Sequence, residues 1–238
     1  MTLFLTSSPC VIGEAALNPA NGFLDSLLEA LPGETSCLYF ASDPDDHERT
    51  DYYAGEMRAI FERGGVRFSD YTVCDGRNGA DVATLLAGRN LLILAGGHVP
   101  TQNRFFRDIG LRELLRDYDG VVVGISAGSM NAAEVVYAQP EMEGESIDPD
   151  YERFLPGLGL TRAMLLPHYQ EVCEYMLDGR RLYEDITFED SMGHIFYVMP
   201  DGTYLYGDRS RQELCGEAYR ICNGEIELIA QDGDIYAI

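Results

Sequence analysis

The stretch Gly120-Val121-Val122-Val123-Gly124-Ile125-Ser126-Ala127-Gly128 decides how the chain folds. Three consecutive valines are β-branched and apolar on both alternating faces, as in a strand covered on both sides rather than one facing water. The next five residues match G-x-S-x-G, and a helix-compatible stretch follows. A serine on such a strand-to-helix turn sits in a strained backbone, and the flanking glycines let chains pass closely. The helix N-terminus sets Ser126 beside amide donors without intrahelical partners, ready for an oxyanion. A plain turn with Ser126 capping the helix is the competing reading.

Upstream of the valines, short apolar runs alternate with helical periodicity. Leu3–Thr6, Ser36–Ala41, Val66–Val73 and Asn90–Ala95 read as strands, with Gly120–Ile125 the fifth. Gly22–Leu31, Arg49–Arg63, Gly79–Ala87 and Thr101–Arg116 read as the helices between them. This alternation predicts an α/β fold with a doubly wound, mostly parallel sheet flanked by helices and right-handed crossovers. Downstream, Glu141–Arg153 reads as an exposed acidic loop, Ala163–Leu166 as a strand and Glu171–Leu182 as a helix. Ile195–Met199 and Thr203–Tyr206 read as a hairpin whose turn is Pro200-Asp201-Gly202. Ala218–Ile221 and Glu225–Ile229 read as a second, turning at Asn223-Gly224, and Ile235–Ile238 ends the chain. These C-terminal antiparallel hairpins, about 190–238, are expected to extend the end of the sheet within a single domain spanning residues 1–238.

Composition narrows the chemistry. All 17 basic residues are arginine against 40 acidic ones, for a formal charge of −23. Without lysine, Schiff-base chemistry and the G-x-x-x-x-G-K-[ST] phosphate loop are excluded. The acidic balance argues against nucleic acid, and it disfavours an anionic membrane surface. No apolar run approaches the roughly 18 residues of a membrane span, and the N-terminus lacks a signal-peptide pattern, so cytoplasm is the default expectation. Cys10, Cys37, Cys74, Cys173, Cys215 and Cys222 show neither a C-x-x-C pair nor zinc spacing, and read as reduced packing residues. No metal and no cofactor are expected.

A serine nucleophile needs a base, and four histidines exist. His47 reads as a surface residue at a polar helix entry, and His194 as a turn residue. His98, after Gly96-Gly97, and His168, in Leu165-Leu-Pro-His168-Tyr, both follow apolar strands and would project at the carboxyl edge of the sheet, where such folds place their sites. Gly96-Gly97 permits close approach of backbone amides to a ligand, giving half of an oxyanion hole with the Ala127 amide as the other half. For the acid that orients the histidine, Glu134, Glu141, Glu143 and Glu145 all follow the serine, and spacing does not choose among them.

Thr6-Ser7-Ser8 after the first strand, Ala-Gly96-Gly97, Gly-Ile-Ser126-Ala-Gly-Ser and Leu-Pro-His168-Tyr together resemble the peptidase E family of serine peptidases. That family includes aspartyl dipeptidases and cyanophycinases on a fold similar to class I glutamine amidotransferases. The resemblance runs from residue 1 to about 170. It implies Ser126 as nucleophile, His168 as general base, Glu141 as the acid (Glu143 if the loop shifts) and Gly97 and Ala127 as oxyanion amides. His98 takes a substrate-binding position. The implied substrate is a small peptide, including dipeptides with an acidic residue, and the protein would be a monomer or homodimer. The chain departs from the family at His98-Val-Pro100-Thr, where Asn-Thr usually follows Gly-Gly in the region associated with aspartyl specificity. Arg104, Arg162, Arg180 and Arg181 are the arginines weighed for a substrate carboxylate. Two other readings stand beside this one: an α/β-hydrolase esterase and a non-catalytic amidotransferase-like binding module.

Overall fold

The computed structural model describes residues 1–238. Five strands, β1 (Thr2–Thr6), β2 (Thr35–Phe40), β3 (Phe68–Cys74), β4 (Leu91–Leu94) and β5 (Val121–Ile125), run parallel in the order β1-β5-β4-β2-β3. Alternate residues of the inner strands enter two separate cores, which is why those strands are largely apolar, whereas the edge strand β3 exposes Ser69 and Asp70. Leu3, Leu5, Leu38, Phe40, Leu92, Leu94 and Val122 pack on one face. Phe4, Cys37, Tyr39, Leu91, Ile93, Val121 and Val123 pack on the other. Helices α1 (Phe23–Ala30) and α2 (His47–Arg63) cover the second face, burying Phe23, Leu27, Ala54 and Phe61. The first is covered by α3 (Val82–Leu86) and α4 (Val99–Asp108), through Val82, Phe105 and Phe106. The expected helix over Thr101–Arg116 breaks at Gly110, whose φ of 66° ends α4 and starts a single turn, α5 (Leu111–Leu114). A short helix, α6 (Ala127–Asn131), follows β5.

The C-terminal half departs from the expected hairpins. β6 (Val135–Tyr137) pairs with β7 (Phe154–Pro156), flanking the acidic loop. β8 (Met164–Leu166) leads into α7 (Tyr169–Val172), one turn long where a helix to Leu182 was expected; β9 (Met176–Leu177) and β10 (Arg180–Arg181) then form a small ribbon. β11 (Ile195–Val198) and β12 (Tyr204–Gly207) do not pair with each other. β11 joins a second sheet, beside β8 in parallel and antiparallel to β14 (Ala218–Cys222), which pairs as expected with β15 (Glu225–Ala230). β12 joins the main sheet against β1, followed outward by β13 (Gln212–Cys215) and β16 (Ile235–Ala237). Pro200–Thr203 is therefore a crossover between two sheets, not a hairpin tip. Burial explains this: Phe196 and Val198 pack in a third core with Tyr137 and Leu166, whereas Tyr204 and Leu205 pack on the two faces of the main sheet.

All six cysteines are free thiols; Cys37, Cys74 and Cys215 are buried and the other three half-buried. No helix is long and apolar enough to cross a membrane.

Candidate active site

The carboxyl ends of β1, β2, β4, β5 and β8 converge on a cleft of about 760 Å³. At its base, Ser126 has φ 50° and ψ −112°, a region that non-glycine residues adopt only when the surroundings impose it. The surroundings do so. Ser126 N–H donates to Thr6 O (3.1 Å), as does Ser129 Oγ (2.8 Å), while Thr6 Oγ1 donates to Gly124 O (2.8 Å). A Cβ on Gly124 would lie 2.9 Å from Ser129 Cα, and one on Gly128 would overlap the Leu94 carbonyl. Both glycines of the motif are thus sterically required. The Ser126 side chain makes no capping hydrogen bond. It lines the cleft instead, against the reading of a plain cap.

Gly97, at φ 157°, also lines the cleft; a Cβ there would fall 2.5 Å from Ser42 Cβ and Oγ. A Cβ on the preceding Gly96 would sit 3.3 Å from Ser126 Cβ, a measure of how closely the β4 end approaches the serine. The buried Gln102 and Asn131 lock the two segments together. Gln102 Nε2 donates to Ala95 O (2.7 Å), and Asn131 Nδ2 donates to Gln102 Oε1 (3.0 Å) and Val99 O (3.2 Å). Ala127, fully buried, is the first residue of α6, where amides lack helical acceptors.

His168 follows Pro167 in the left-handed conformation (φ 59°, ψ 31°) at the end of β8. Its Nδ1 lies 2.8 Å from Asp201 Oδ1. A carboxylate only accepts, so the ring proton sits on Nδ1 and Nε2 is left as the basic nitrogen. The Asp201 side chain is only 6% exposed. Its Oδ1 also accepts from Ser7 Oγ (2.6 Å), and its N–H donates to Gln170 Oε1 (3.0 Å). Burial disfavours charge on the imidazole, but the Asp201 hydrogen bond and charge outweigh it, with Glu171 and Glu141 adding to them, so the His168 pKa lies above the ordinary 6.5. Burial likewise opposes the Asp201 anion, yet His168 and Ser7 hold its carboxyl below the usual carboxylate value.

Glu141 makes no hydrogen bond to His168. It lines the cleft, accepts weakly from Val99 N–H (3.4 Å), and keeps surface open to the cleft although dense protein surrounds it. That burial, opposed first by His98, pushes its carboxyl up to about 7. The carboxylate within hydrogen-bond distance of His168 is Asp201, whereas the expected Glu141 stands elsewhere on the cleft wall. Glu145 bonds the other histidine: His98 Nε2 lies 2.8 Å from Glu145 Oε1, and His98 Nδ1 lies 2.8 Å from Thr101 Oγ1. Glu145 Oε2 accepts from the amides of Glu141 and Met142, tying the acidic loop to the cleft rim. Glu143 is exposed, and Glu134 lies outside the cleft, within 4.0 Å of Arg112 and Arg162.

None of Arg104, Arg162, Arg180 and Arg181 lines the cleft; Arg180 and Arg181 pair with Glu189 and Asp185. Arg49 of α2 does line it. It pairs with no carboxylate and lies 5.7 Å from the Tyr53 ring centre. His47 is exposed, and His194 stacks on Phe154 (4.3 Å between ring centres).

The sequence from residue 3 to residue 212 matches the model of peptidase family S51. The chain belongs to this family of serine peptidases, the peptidase E family. It is a serine-type peptidase hydrolase, and the α/β-hydrolase esterase reading falls away. Its fold is similar to the crystal structure of a peptidase from an acI-B1 Actinobacterium, with a TM-score of 0.64 at 17% identity over 100% of this chain and 96% of that one. It is also similar to a putative peptidase E protein from Listeria monocytogenes EGD-e, with a TM-score of 0.54 at 16% identity over 95% and 96% of the two chains. No curated protein matches the sequence.

Asp201 and Ser7 were not among the residues singled out from sequence for catalysis. Asp201 read as a turn residue because Pro-Asp-Gly between two apolar runs carries a hairpin signal. Ser7 belongs to the Thr6-Ser7-Ser8 motif after β1, whose residues carry no individual role in the sequence reading. The one available hint was their place beside strand ends, which is shared by many residues without function.

Proposed function

We propose that the protein hydrolyses short peptides through an acyl-enzyme on Ser126, with His168 as general base and Asp201 as the acid that orients it. The observation that carries the assignment is the His168–Asp201 pair, which engages Nδ1 and leaves Nε2 without a protein partner in the cleft it shares with Ser126. His168 Nε2 accepts the Ser126 proton as Oγ attacks the peptide carbonyl carbon. The amides of Gly97 and Ala127 stabilise the resulting oxyanion, and Asp201 stabilises the imidazolium. The imidazolium then protonates the departing amine as the C–N bond breaks. Water, deprotonated by the same nitrogen, hydrolyses the ester and releases Ser126.

The cleft volume accommodates a di- or tripeptide. His98 serves as a wall of the substrate site, since both its ring nitrogens are engaged. Arg49, the cleft arginine without a carboxylate partner, is suited to a substrate carboxylate through its planar fork of donors. Cleavage of dipeptides with an acidic residue is the specificity this supports.

A fluorophosphonate probe with peptide mapping tests the reading. Wild type is expected to be labelled at Ser126, with Ser126→Ala unlabelled and His168→Ala labelled at least about 10³-fold more slowly. A folded wild type that resists the probe would overturn the assignment of Ser126 as the nucleophile. Arg49→Gln is expected to raise KM for a dipeptide with an acidic residue about tenfold with little change in kcat, as for an interaction made equally in ground and transition states.

A further inference from the structure

Asp201 and His168 arrive at the cleft from different places, one on the β11–β12 crossover and the other at the end of β8. His168 lies two residues beyond β8 and Asp201 lies between β11 and β12, so the two reach their 2.8 Å contact from separate connections. A single hydroxyl from the main sheet touches both. Ser7 is fully buried just after β1; its Oγ accepts from the His168 amide (2.8 Å) and donates to Asp201 Oδ1 (2.6 Å). Its own N–H donates to Thr203 O (3.2 Å), so the same residue also ties down the crossover that carries Asp201. We propose that Ser7 is a positioning residue that sets the His168–Asp201 pair against the Ser126 strand, so that the reaction rate depends on its hydroxyl although it touches no reacting atom. This rests on the assignment of His168 and Asp201 to catalysis given above.

The physics is that of a hydroxyl used in both directions. The acceptor lone pair fixes the backbone of a histidine held in a left-handed conformation. The donated proton occupies one direction around Oδ1 and leaves the carboxylate ionised and restrained in rotation. Alanine at this position would leave a buried amide without an acceptor and a buried carboxylate short of a donor. Threonine keeps the hydroxyl and adds one methyl group.

The test compares Ser7→Ala, Ser7→Thr and a control, Thr203→Val, which removes a neighbouring buried hydroxyl whose bond is to Glu217 O (2.7 Å) and not to the pair. Expected for Ser7→Ala are a kcat lower by about 10- to 100-fold with KM changed less than about threefold, the fold-change corresponding to one lost hydrogen bond to a charged group. By proton NMR, the downfield resonance of the His168 Nδ1–H should broaden or move upfield, and by carbon NMR the Asp201 carboxyl should titrate at higher pH than in wild type. Ser7→Thr should recover most of kcat and the resonance, and Thr203→Val should keep the resonance in place whatever it does to Tm. A folded Ser7→Ala protein with kcat within twofold of wild type, or with an unchanged Nδ1–H resonance, would overturn the proposal. The resonances report on the pair even in a protein that turns nothing over. A failure of the peptidase assignment would instead show as an unlabelled Ser126.

Discussion

Two histidine–carboxylate pairs stand at the same edge of the sheet, each closed by a 2.8 Å contact, and they are built for different work. His98 is held through both ring nitrogens, by Thr101 and Glu145, and Glu145 in turn holds the amides of Glu141 and Met142. A ring so engaged has no free nitrogen with which to take a proton from Ser126. It is a strut between α4 and the acidic loop. His168 is held only through Nδ1, by an aspartate that is nearly buried and has a second side-chain donor in Ser7. The ring is oriented and one nitrogen is left over. The difference teaches that a histidine–acid contact distance says little about catalysis; which nitrogen remains unpaired says more.

Breaking each pair separately should expose that asymmetry. Asp201→Asn is expected to lower kcat/KM by about 10³- to 10⁴-fold, because an amide no longer fixes the tautomer that leaves Nε2 basic. Glu145→Gln and Glu141→Gln should each cost less than about tenfold in steady-state rates. A larger loss from Glu141→Gln than from Asp201→Asn would reverse the assignment of the acid. Gly97→Ala tests the oxyanion side of the cleft. The new methyl meets Ser42, so the Gly97 amide must move, and kcat is expected to fall about 10²-fold or more with Tm lowered by several degrees.

The pairs also differ in what pH should do. As the proposed general base, His168 must be neutral to accept a proton, and its pKa lies above the ordinary value because Asp201 outweighs burial. The acidic limb of the kcat/KM profile is thus expected above pH 6.5, and Asp201→Asn should move it to lower pH as burial then acts unopposed. In stability the effect is smaller and the signs are opposite for the two partners. Asp201, with its carboxyl held low, stabilises the fold above its unfolded pKa, and that contribution is lost as pH falls through the folded value. His168, with its pKa raised, adds stability below its unfolded value that fades as pH rises through the folded one. Chemical denaturation across pH should show wild type minus Asp201→Asn narrowing at both ends.

The parallel sheet was legible because its inner strands are apolar on both faces: neighbouring residues such as Leu92 and Ile93 enter opposite cores, a pattern an exposed strand does not produce. The serine turn was legible because Gly124 and Gly128 are demanded by steric contacts between residues close along the chain or on adjacent strands. The C-terminal half read less well. Ile195–Met199, Pro-Asp-Gly and Thr203–Tyr206 have every local property of a hairpin, yet their two strands enter different sheets.

That one event separates what local chemistry dictates from what packing adds. Ser126, Gly97, Ala127 and His168 each sit at the end of an apolar strand, and the period and bounds of such strands can be read residue by residue. The acid cannot be read this way. A carboxylate becomes the partner of His168 only by lying within 3 Å of it, and Glu141, twenty-seven residues before the histidine, and Asp201, thirty-three after it, are equally eligible along the chain. Their places were set by which cores Phe196, Val198, Tyr204 and Leu205 fill, a competition between long-range burials that carries Asp201 under the histidine and leaves Glu141 on the cleft wall.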